Sequence, residues 1–310
     1  MNNTALMKAL KAVNFVSGSA VSGKELKRHR AAMERAGKLA APKSGIEISS
    51  FTVGGMLCEA ICPEFAHNPR YAILYAHGGG YVTGGCTYAR ILAAKLAEAT
   101  GFTTYTFDYR LAPENPYPAA LTDAQALWDH LTDGRYPADH VIVAGESAGG
   151  NLALCLVQKL IKEERDRPGH LILFSPWTDM TGTAPSYEAN ADIDPILTRE
   201  YVMSAAGVYI GDAGPAEDER FSPLFGSFED FPPVFIMAGR CGILLDDSTR
   251  LFDRIIESGG SARLDIEESG WHVYQQMPVP LAGRAMKRLA AYISGQIYGE
   301  NIWEVTTGTK

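Results

Sequence analysis

Apolar positions recur along the chain in short runs that are separated by stretches with helical spacing. The strand-like runs lie at residues 73–76, 102–107, 141–144, 171–174, 234–238 and, more weakly, 262–266. Strand patterns that alternate with helical patterns are typical of a mostly parallel sheet with helices on both faces. The pattern therefore predicts an α/β fold built on a doubly wound central sheet.

A different pattern precedes these runs. Residues 46–53 and 56–61 both have strand-like composition, and only Gly54 and Gly55 separate them. Two adjacent glycines favour the tight turn of a β-hairpin, since both central positions of that turn need a positive φ. We expect this hairpin to form an antiparallel edge of the sheet.

Two regions fit neither pattern. Residues 1–43 are charged and helix-prone, and residues 182–223 join helical stretches through polar links. The core is therefore expected in two parts, at residues 44–181 and 224–300. The tail at residues 301–310 has no core pattern, which is typical of a disordered end.

A serine lies where a strand pattern changes to a helical one. Residues 145–149 read GESAG, between the apolar run at 141–144 and a helical pattern. A serine at a sharp strand-to-helix turn stands clear of the sheet, and flanking glycines leave room for the turn. The motif predicts Ser147 as a nucleophile. The alternative is a glycine-rich turn whose serine only caps the helix.

A second motif supplies backbone donors. A predicted strand runs directly into HGGG at residues 77–80. Consecutive glycines let backbone N–H groups approach a developing oxyanion closely. We expect the donors to come from Gly78, Gly79 and Gly80, completed by the N–H of Ala148. Which two glycines donate stays open. A phosphate-binding loop is disfavoured because the required lysine is absent.

These motifs and three further segments resemble the hormone-sensitive-lipase-like branch (bacterial family IV) of the α/β-hydrolases. The further segments are DYRLAPE at residues 108–114, SPWTD at 175–179 and GWHV at 270–273. The resemblance implies an α/β-hydrolase fold in which residues 1–43 and 182–223 build a helical cap. It also implies a carboxylesterase that acts on small acyl esters, with His272 as the base, and a homodimer.

One position departs from the family pattern. The family usually has an aspartate two residues after Gly239, and this chain has Cys241. A triad acid orients the imidazole and stabilises its charged form, whereas a neutral thiol is a weak acceptor. Three explanations stay open. Asp246 or Asp247 replaces the acid, the chain is a weakened natural or engineered esterase, or it is a ligand-binding protein on an esterase scaffold. One of the two aspartates is also expected to cap the following helix.

Other polar residues of the motifs are expected to support the site. His77 is expected to brace the glycine loop and to take no part in the chemistry. Asp108, Arg110 and Glu114 are expected to form a buried ionic network next to the site.

The composition argues against some classes of binding partner. The 310 residues are 46% hydrophobic and 21% charged, which is ordinary for a globular protein. The net charge of −8 and the absence of a basic stripe argue against a nucleic-acid partner. No apolar run reaches the length of a membrane span. The five scattered cysteines predict no disulfide framework, so we expect a cytoplasmic protein. No motif indicates a metal site or an organic cofactor, and we expect neither.

Overall fold

A computed structural model describes residues 18–40, 44–65 and 67–298, and the predicted tail at 301–310 lies outside these ranges. The described chain contains eight strands in one sheet. They are β1 (Ile46–Val53), β2 (Met56–Pro63), β3 (Ala72–Ala76), β4 (Thr103–Phe107), β5 (Val141–Glu146), β6 (His170–Phe174), β7 (Val234–Gly239) and β8 (Ala262–Glu267).

Eight α-helices connect or follow the strands in the described ranges. They are α1 (Gly23–Ala40), α2 (Cys86–Thr100), α3 (Ala119–Thr132), α4 (Ala148–Lys162), α5 (Ser186–Ala189), α6 (Arg199–Ile210), α7 (Leu245–Glu257) and α8 (Pro280–Tyr298). Short 3-10 turns add Gly18–Val21, Ala138–His140, Pro223–Phe225 and Tyr274–Gln276.

The sheet has the order β1-β2-β4-β3-β5-β6-β7-β8. The pairs β1–β2 and β2–β4 are antiparallel, and all other neighbours are parallel. Val53 pairs with Met56 across the hairpin, and Gly54 and Gly55 have φ angles of 57° and 85°. The predicted mostly parallel sheet with an antiparallel edge is confirmed.

Helices cover both faces of the sheet. Apolar side chains of α3, α4 and α7 pack on one face, and those of α2 and α8 pack on the other. Every residue of β3, β4, β5 and β7 is buried, which explains why these strands read as continuous apolar runs. The carboxyl ends of the parallel strands meet at one edge of the sheet, where α/β folds bind their ligands.

Within the described ranges, no helix is both long and apolar enough to cross a membrane. All five cysteines are free. The described side chains also contain no group of three or more His, Cys, Asp or Glu residues that would hold a metal ion.

Candidate active site

Ser147 lies in a strained turn between β5 and α4. Its φ and ψ angles are 52° and −120°, and its side chain makes no capping bond to the helix. A Cβ at Gly145 would lie 2.2 Å from the Gly149 carbonyl oxygen, and one at Gly149 would lie 2.1 Å from that of Ala76. Only glycine fits these two positions. The turn thus has the backbone of a nucleophile elbow, and the capping alternative is wrong.

The glycine loop follows β3 and faces the same edge. Gly79 and Gly80 have φ angles of 108° and 63°. The Gly78 N–H donates to Glu146 Oε1 at 3.0 Å, so this donor is already used. Ala148 is the first residue of α4, where backbone N–H groups have no partner within the helix. Of the four N–H groups predicted to bind an oxyanion, those of Gly79, Gly80 and Ala148 therefore remain as candidates.

His77 lies beneath this loop. Its Nδ1 is 2.7 Å from the Gly78 carbonyl oxygen, and its ring stacks on that of Tyr109 at 4.1 Å. The Tyr109 hydroxyl donates to the His77 carbonyl oxygen at 2.8 Å. Burial lowers the pKa of His77 to about 4, so the ring is neutral at pH 7. These contacts hold the loop in place.

His272 follows β8 and is 6% exposed. Burial lowers its pKa to about 3, so the imidazole is a neutral base at pH 7. Its Nδ1 has no hydrogen-bond partner in the described chain. In a complete triad this nitrogen donates to the acid. The imidazole therefore lacks the contact that would stabilise its charged form.

Cys241 lies in the loop after β7, beside the loop that carries His272. Its backbone N–H donates to the Gly270 carbonyl oxygen at 2.9 Å. Burial raises the pKa of the Cys241 thiol, and Asp194 raises it further. The thiol is therefore neutral at pH 7. It does not supply the missing partner of His272 Nδ1.

Asp246 and Asp247 bind a different part of the chain. Asp246 Oδ2 accepts from the Ser186 N–H at 2.8 Å, and Asp247 Oδ1 accepts from the Thr178 N–H at 2.7 Å. Burial raises the pKa of Asp247 to about 7. The N-cap of α7 has no side-chain bond, so the expected capping role is wrong. Neither carboxylate reaches the unpartnered nitrogen of His272 in this structure.

The expected ionic network is also wrong. The side chains of Asp108, Arg110 and Glu114 bind three different partners and do not bind one another. These partners are the backbone N–H of Cys86, the carboxylate of Asp123 and the guanidinium of Arg30, respectively. The Glu114 side chain is 55% exposed, so these ion pairs are largely solvated.

A cavity of about 380 Å³ joins the candidate residues. Ser147, His272 and the three glycines of the loop line its floor. Helices α1 and α6 contribute seven residues to the walls, and no sequence motif singled these residues out. The seven are His29, Met33, Ala36 and Ala40 of α1 and Tyr201, Val202 and Ala205 of α6. Tyr88 and Ile91 of α2 line the cavity as well. A larger groove of about 670 Å³, between α3 and α4, contains none of the candidate residues.

The same segment of the chain matches a family model. The model is described as the alpha/beta hydrolase fold, and it matches residues 73–276. The chain belongs to the α/β-hydrolase family. The matched segment of this α/β-hydrolase runs from β3 to the turn after His272, so it contains the glycine loop, the serine turn and the histidine loop.

Known relatives agree with this assignment. An esterase from Acinetobacter venetianus is 34% identical, over 71% of this chain and 73% of its own. An acetyl-hydrolase from Streptomyces hygroscopicus is 28% identical, over 90% and 92%. The crystal structure of a hormone-sensitive lipase from a metagenome library superposes with a TM-score of 0.88, at 30% identity, over 96% and 99%.

These matches confirm the predicted family, fold class and enzyme class. The α/β-hydrolase described here is similar to esterases and acetyl-hydrolases over most of its length, and its fold is that of the hormone-sensitive-lipase branch. It is a hydrolase of the carboxylesterase type.

Proposed function

We propose that this α/β-hydrolase cleaves short-chain carboxylic esters through an acyl intermediate on Ser147. His272 takes the proton of the serine hydroxyl while its oxygen attacks the ester carbonyl carbon. The protonated imidazole then gives this proton to the leaving alcohol. A water molecule attacks the acyl-enzyme in the same way and releases the acid.

One observation carries the proposal: the strained serine turn, His272 and the glycine loop line one cavity. The N–H groups of Gly79, Gly80 and Ala148 are the proposed donors to the oxyanion. Donors fixed before the reaction stabilise the developing charge without reorganisation. The N-terminus of α4 adds the positive end of its helix dipole.

The proposed enzyme is slow for its family. Because His272 Nδ1 has no carboxylate partner, nothing balances the charge that the imidazole acquires when it accepts the proton. Loss of the acid in well-studied triads lowers turnover by about four orders of magnitude. We therefore expect the wild-type kcat to lie about two to four orders of magnitude below that of a variant with a carboxylate at position 241.

The cavity supports small substrates. Its volume of about 380 Å³ is near the lower end of ordinary ligand pockets. The proposed cap consists of residues 1–43 and 182–223. Its helices α1 and α6 line the cavity and limit how deep a substrate can extend. Acyl groups from acetyl to butyryl fit this space. Amides and thioesters would use the same groups and serve as comparison substrates.

Hydrolysis of p-nitrophenyl acetate and butyrate tests the proposal. We expect slow, saturable hydrolysis by the wild type and a loss of about 1000-fold or more in Ser147→Ala, because the nucleophile is gone. Ser204→Ala, at a half-buried position of α6, is the matched control. Equal rates in Ser147→Ala and the wild type would contradict the proposal.

A ligand-binding protein is the second candidate. The unpartnered Nδ1 of His272 and the neutral Cys241 favour it, because both weaken the base. A binding protein would bind a butyrate ester without turnover, and Ser147→Ala would leave its Kd unchanged. Labelling of Ser147 by a fluorophosphonate separates the two candidates, since only an activated serine reacts rapidly.

A further inference from the structure

A lysine of α2 holds the turn that follows His272. Lys95 Nζ donates to three consecutive carbonyl oxygens, those of Gln275 at 2.7 Å, Gln276 at 3.1 Å and Met277 at 3.2 Å. An ammonium group has three N–H donors, so this turn uses all of them. Hydrogen bonds from a charged donor are about twice as strong as neutral ones.

The turn that follows His272 is also linked by hydrogen bonds to the serine turn and to the glycine loop. Gln276 Nε2 donates to Glu146 Oε1 at 2.6 Å, and the Tyr88 hydroxyl donates to Gln276 Oε1 at 2.8 Å. Glu146 Oε1 also accepts the Gly78 N–H at 3.0 Å. A single carboxyl oxygen thus joins the histidine turn, the residue before Ser147 and the glycine loop.

We propose that Lys95 is a positioning residue for His272, which acts by fixing the 275–277 backbone and, through Gln276 and Glu146, the glycine loop. The inference rests on the proposed function. It adds a residue that no motif contains and that does not itself line the cavity, although Tyr88 and Ile91 of the same helix do.

The missing acid makes this role more important. In a complete triad the acid fixes the orientation of the imidazole from one side. Here Nδ1 has no partner, so the position of His272 depends on its own backbone and on the turn that Lys95 holds. Misplacement of a catalytic group by about 1 Å costs about 100-fold in rate.

The charge on Lys95 depends on pH in the alkaline range. Burial lowers its pKa to about 8, while Glu98 of the same helix raises it. Lys95, Glu98 and Lys287 of α8 line one surface groove, so Lys287 adds a like charge near Lys95. Beyond Gln276, burial raises the pKa of Glu146 to about 8. Above pH 8 the ammonium therefore loses its charge, and the three bonds weaken together.

Three variants test the proposal: Lys95→Met, Lys95→Arg and the control Lys162→Met, whose native side chain is 76% exposed. With p-nitrophenyl acetate at pH 7, we expect kcat of Lys95→Met to fall about tenfold or more, with KM changed less than about threefold. Lys95→Arg should restore most of kcat. It should also keep its activity to a higher pH than the wild type, because arginine stays charged.

A second measurement does not depend on turnover. Hydrogen exchange of the amides at residues 272–279 should be faster in Lys95→Met than in the wild type and in Lys162→Met, with exchange in the strands of the sheet unchanged. If the wild type hydrolyses neither ester, the proposed function fails, and this measurement alone decides the positioning role: equal exchange in Lys95→Met and the wild type would then overturn it.

If the wild type is active, three further results would overturn the inference. One is a kcat of Lys95→Met equal to that of the wild type within experimental error. Another is a loss of activity that is fully explained by fewer active sites in a fluorophosphonate titration, since that would be a folding defect. The third is an alkaline limb of Lys95→Arg that coincides with that of the wild type.

Discussion

Cys241 occupies the position at which the family resemblance implies the acid of a triad. Its thiol is neutral, and the nitrogen of His272 that would bind an acid has no partner in the described chain. Asp246 and Asp247 are bonded to the segment at 178–186. The pKa of His272, the proposed base, is therefore set by burial alone.

A carboxylate at position 241 should restore the missing contact. We expect Cys241→Asp to raise kcat about 100-fold or more, because the carboxylate stabilises the imidazolium. The same contact raises the pKa of His272, so the acid limb of kcat/KM should move to higher pH. Ester hydrolysis between pH 4 and 9 measures both effects: the wild-type acid limb lies below this range, because the pKa of His272 is about 3, so an acid limb that enters the range in Cys241→Asp marks the shift.

Cys241→Ser is the matched control, since it changes the side chain without adding a charge. Equal rates in Cys241→Asp and Cys241→Ser would show that the acid contact does not limit this enzyme.

The serine turn tolerates no side chain at Gly149. The Cβ of Gly149→Ala would lie 2.1 Å from a backbone oxygen, which no rotamer change relieves. We expect this variant to lose about 1–3 kcal/mol or more in the free energy of unfolding, together with most of its activity. Gly207→Ala in α6 meets nothing within 4 Å and should instead stabilise the protein by up to about 1 kcal/mol. Urea unfolding compares the two variants, and equal free energies would contradict the steric argument.

The sequence predicted those site residues that local patterns determine. Ser147 and the glycine loop lie in short motifs whose backbone geometry only glycine permits. Lys95 and Gln276 have no such motif, since their bonds join residues about 180 and 130 positions apart. The partners of Asp246 and Asp247 likewise depend on which segment packs against α7, and local composition does not contain that information.

At the level of secondary structure, α1 connects the cavity wall to the glycine loop. Arg30 donates to the Val82 carbonyl oxygen at 2.8 Å and to that of Ala112 at 2.9 Å, and it forms a two-bond ion pair with Glu114. A Cβ at Gly37 would lie 2.3 Å from the Thr87 carbonyl oxygen, so α1 contacts α2 closely.

Removal of the Arg30 contacts should loosen this wall. We expect Arg30→Met to raise KM for p-nitrophenyl butyrate about threefold to tenfold with little change in kcat, because α1 lines the cavity but carries none of the proposed reacting groups. Steady-state kinetics measures this effect. Lys38→Met, on the same helix with a 67% exposed side chain, is the control. An unchanged KM in Arg30→Met would contradict the role of α1 as a wall.

Strands were easier to predict than the helices of the cavity wall. The buried central strands are continuous apolar runs, so their observed bounds differ from the predicted ones by only a few residues. In contrast, α1 is a charged helix in which only Leu26, His29 and Gly37 are buried. Such a pattern is typical of a solvated helix, and it does not show that one face lines a cavity.

For the whole molecule, burial of ionisable groups determines how stability depends on pH. The pKa values of His77 and His272 are lowered from 6.5 to about 4 and about 3. Those of Glu146 and Asp247 are raised to about 8 and about 7. All four side chains regain ordinary values when the chain unfolds, so they act on stability in opposite directions.

We expect the free energy of unfolding to be highest between about pH 4.5 and 6.5. Below this window His77 and His272 bind protons in the unfolded chain but stay neutral in the folded protein, so the free energy of unfolding falls as the pH falls. Above it, the folded chain keeps protons on the two carboxyls that the unfolded chain has released, and stability falls as the pH rises to about 8. Each uncompensated group contributes about 1.4 kcal/mol per pH unit.

Urea unfolding at a series of pH values measures this profile. Glu146→Gln should reduce the alkaline decline, because it removes one of the two carboxyls. A stability that increases from pH 6.5 to 8 would contradict the assignment of the buried carboxyls.

The floor and the walls of the cavity come from separate parts of the chain. The floor consists mainly of tightly packed backbone, where an added side chain would clash with neighbouring atoms. In contrast, the side chains of Met33 and Ala36 of α1 and of Ala205 of α6 face the open volume of the cavity. Exchange of these wall residues alters which molecules are admitted and leaves the reacting groups untouched. Directed evolution of this scaffold should therefore find new substrate ranges in the two wall helices, and it should find inactivating changes at the edge of the sheet.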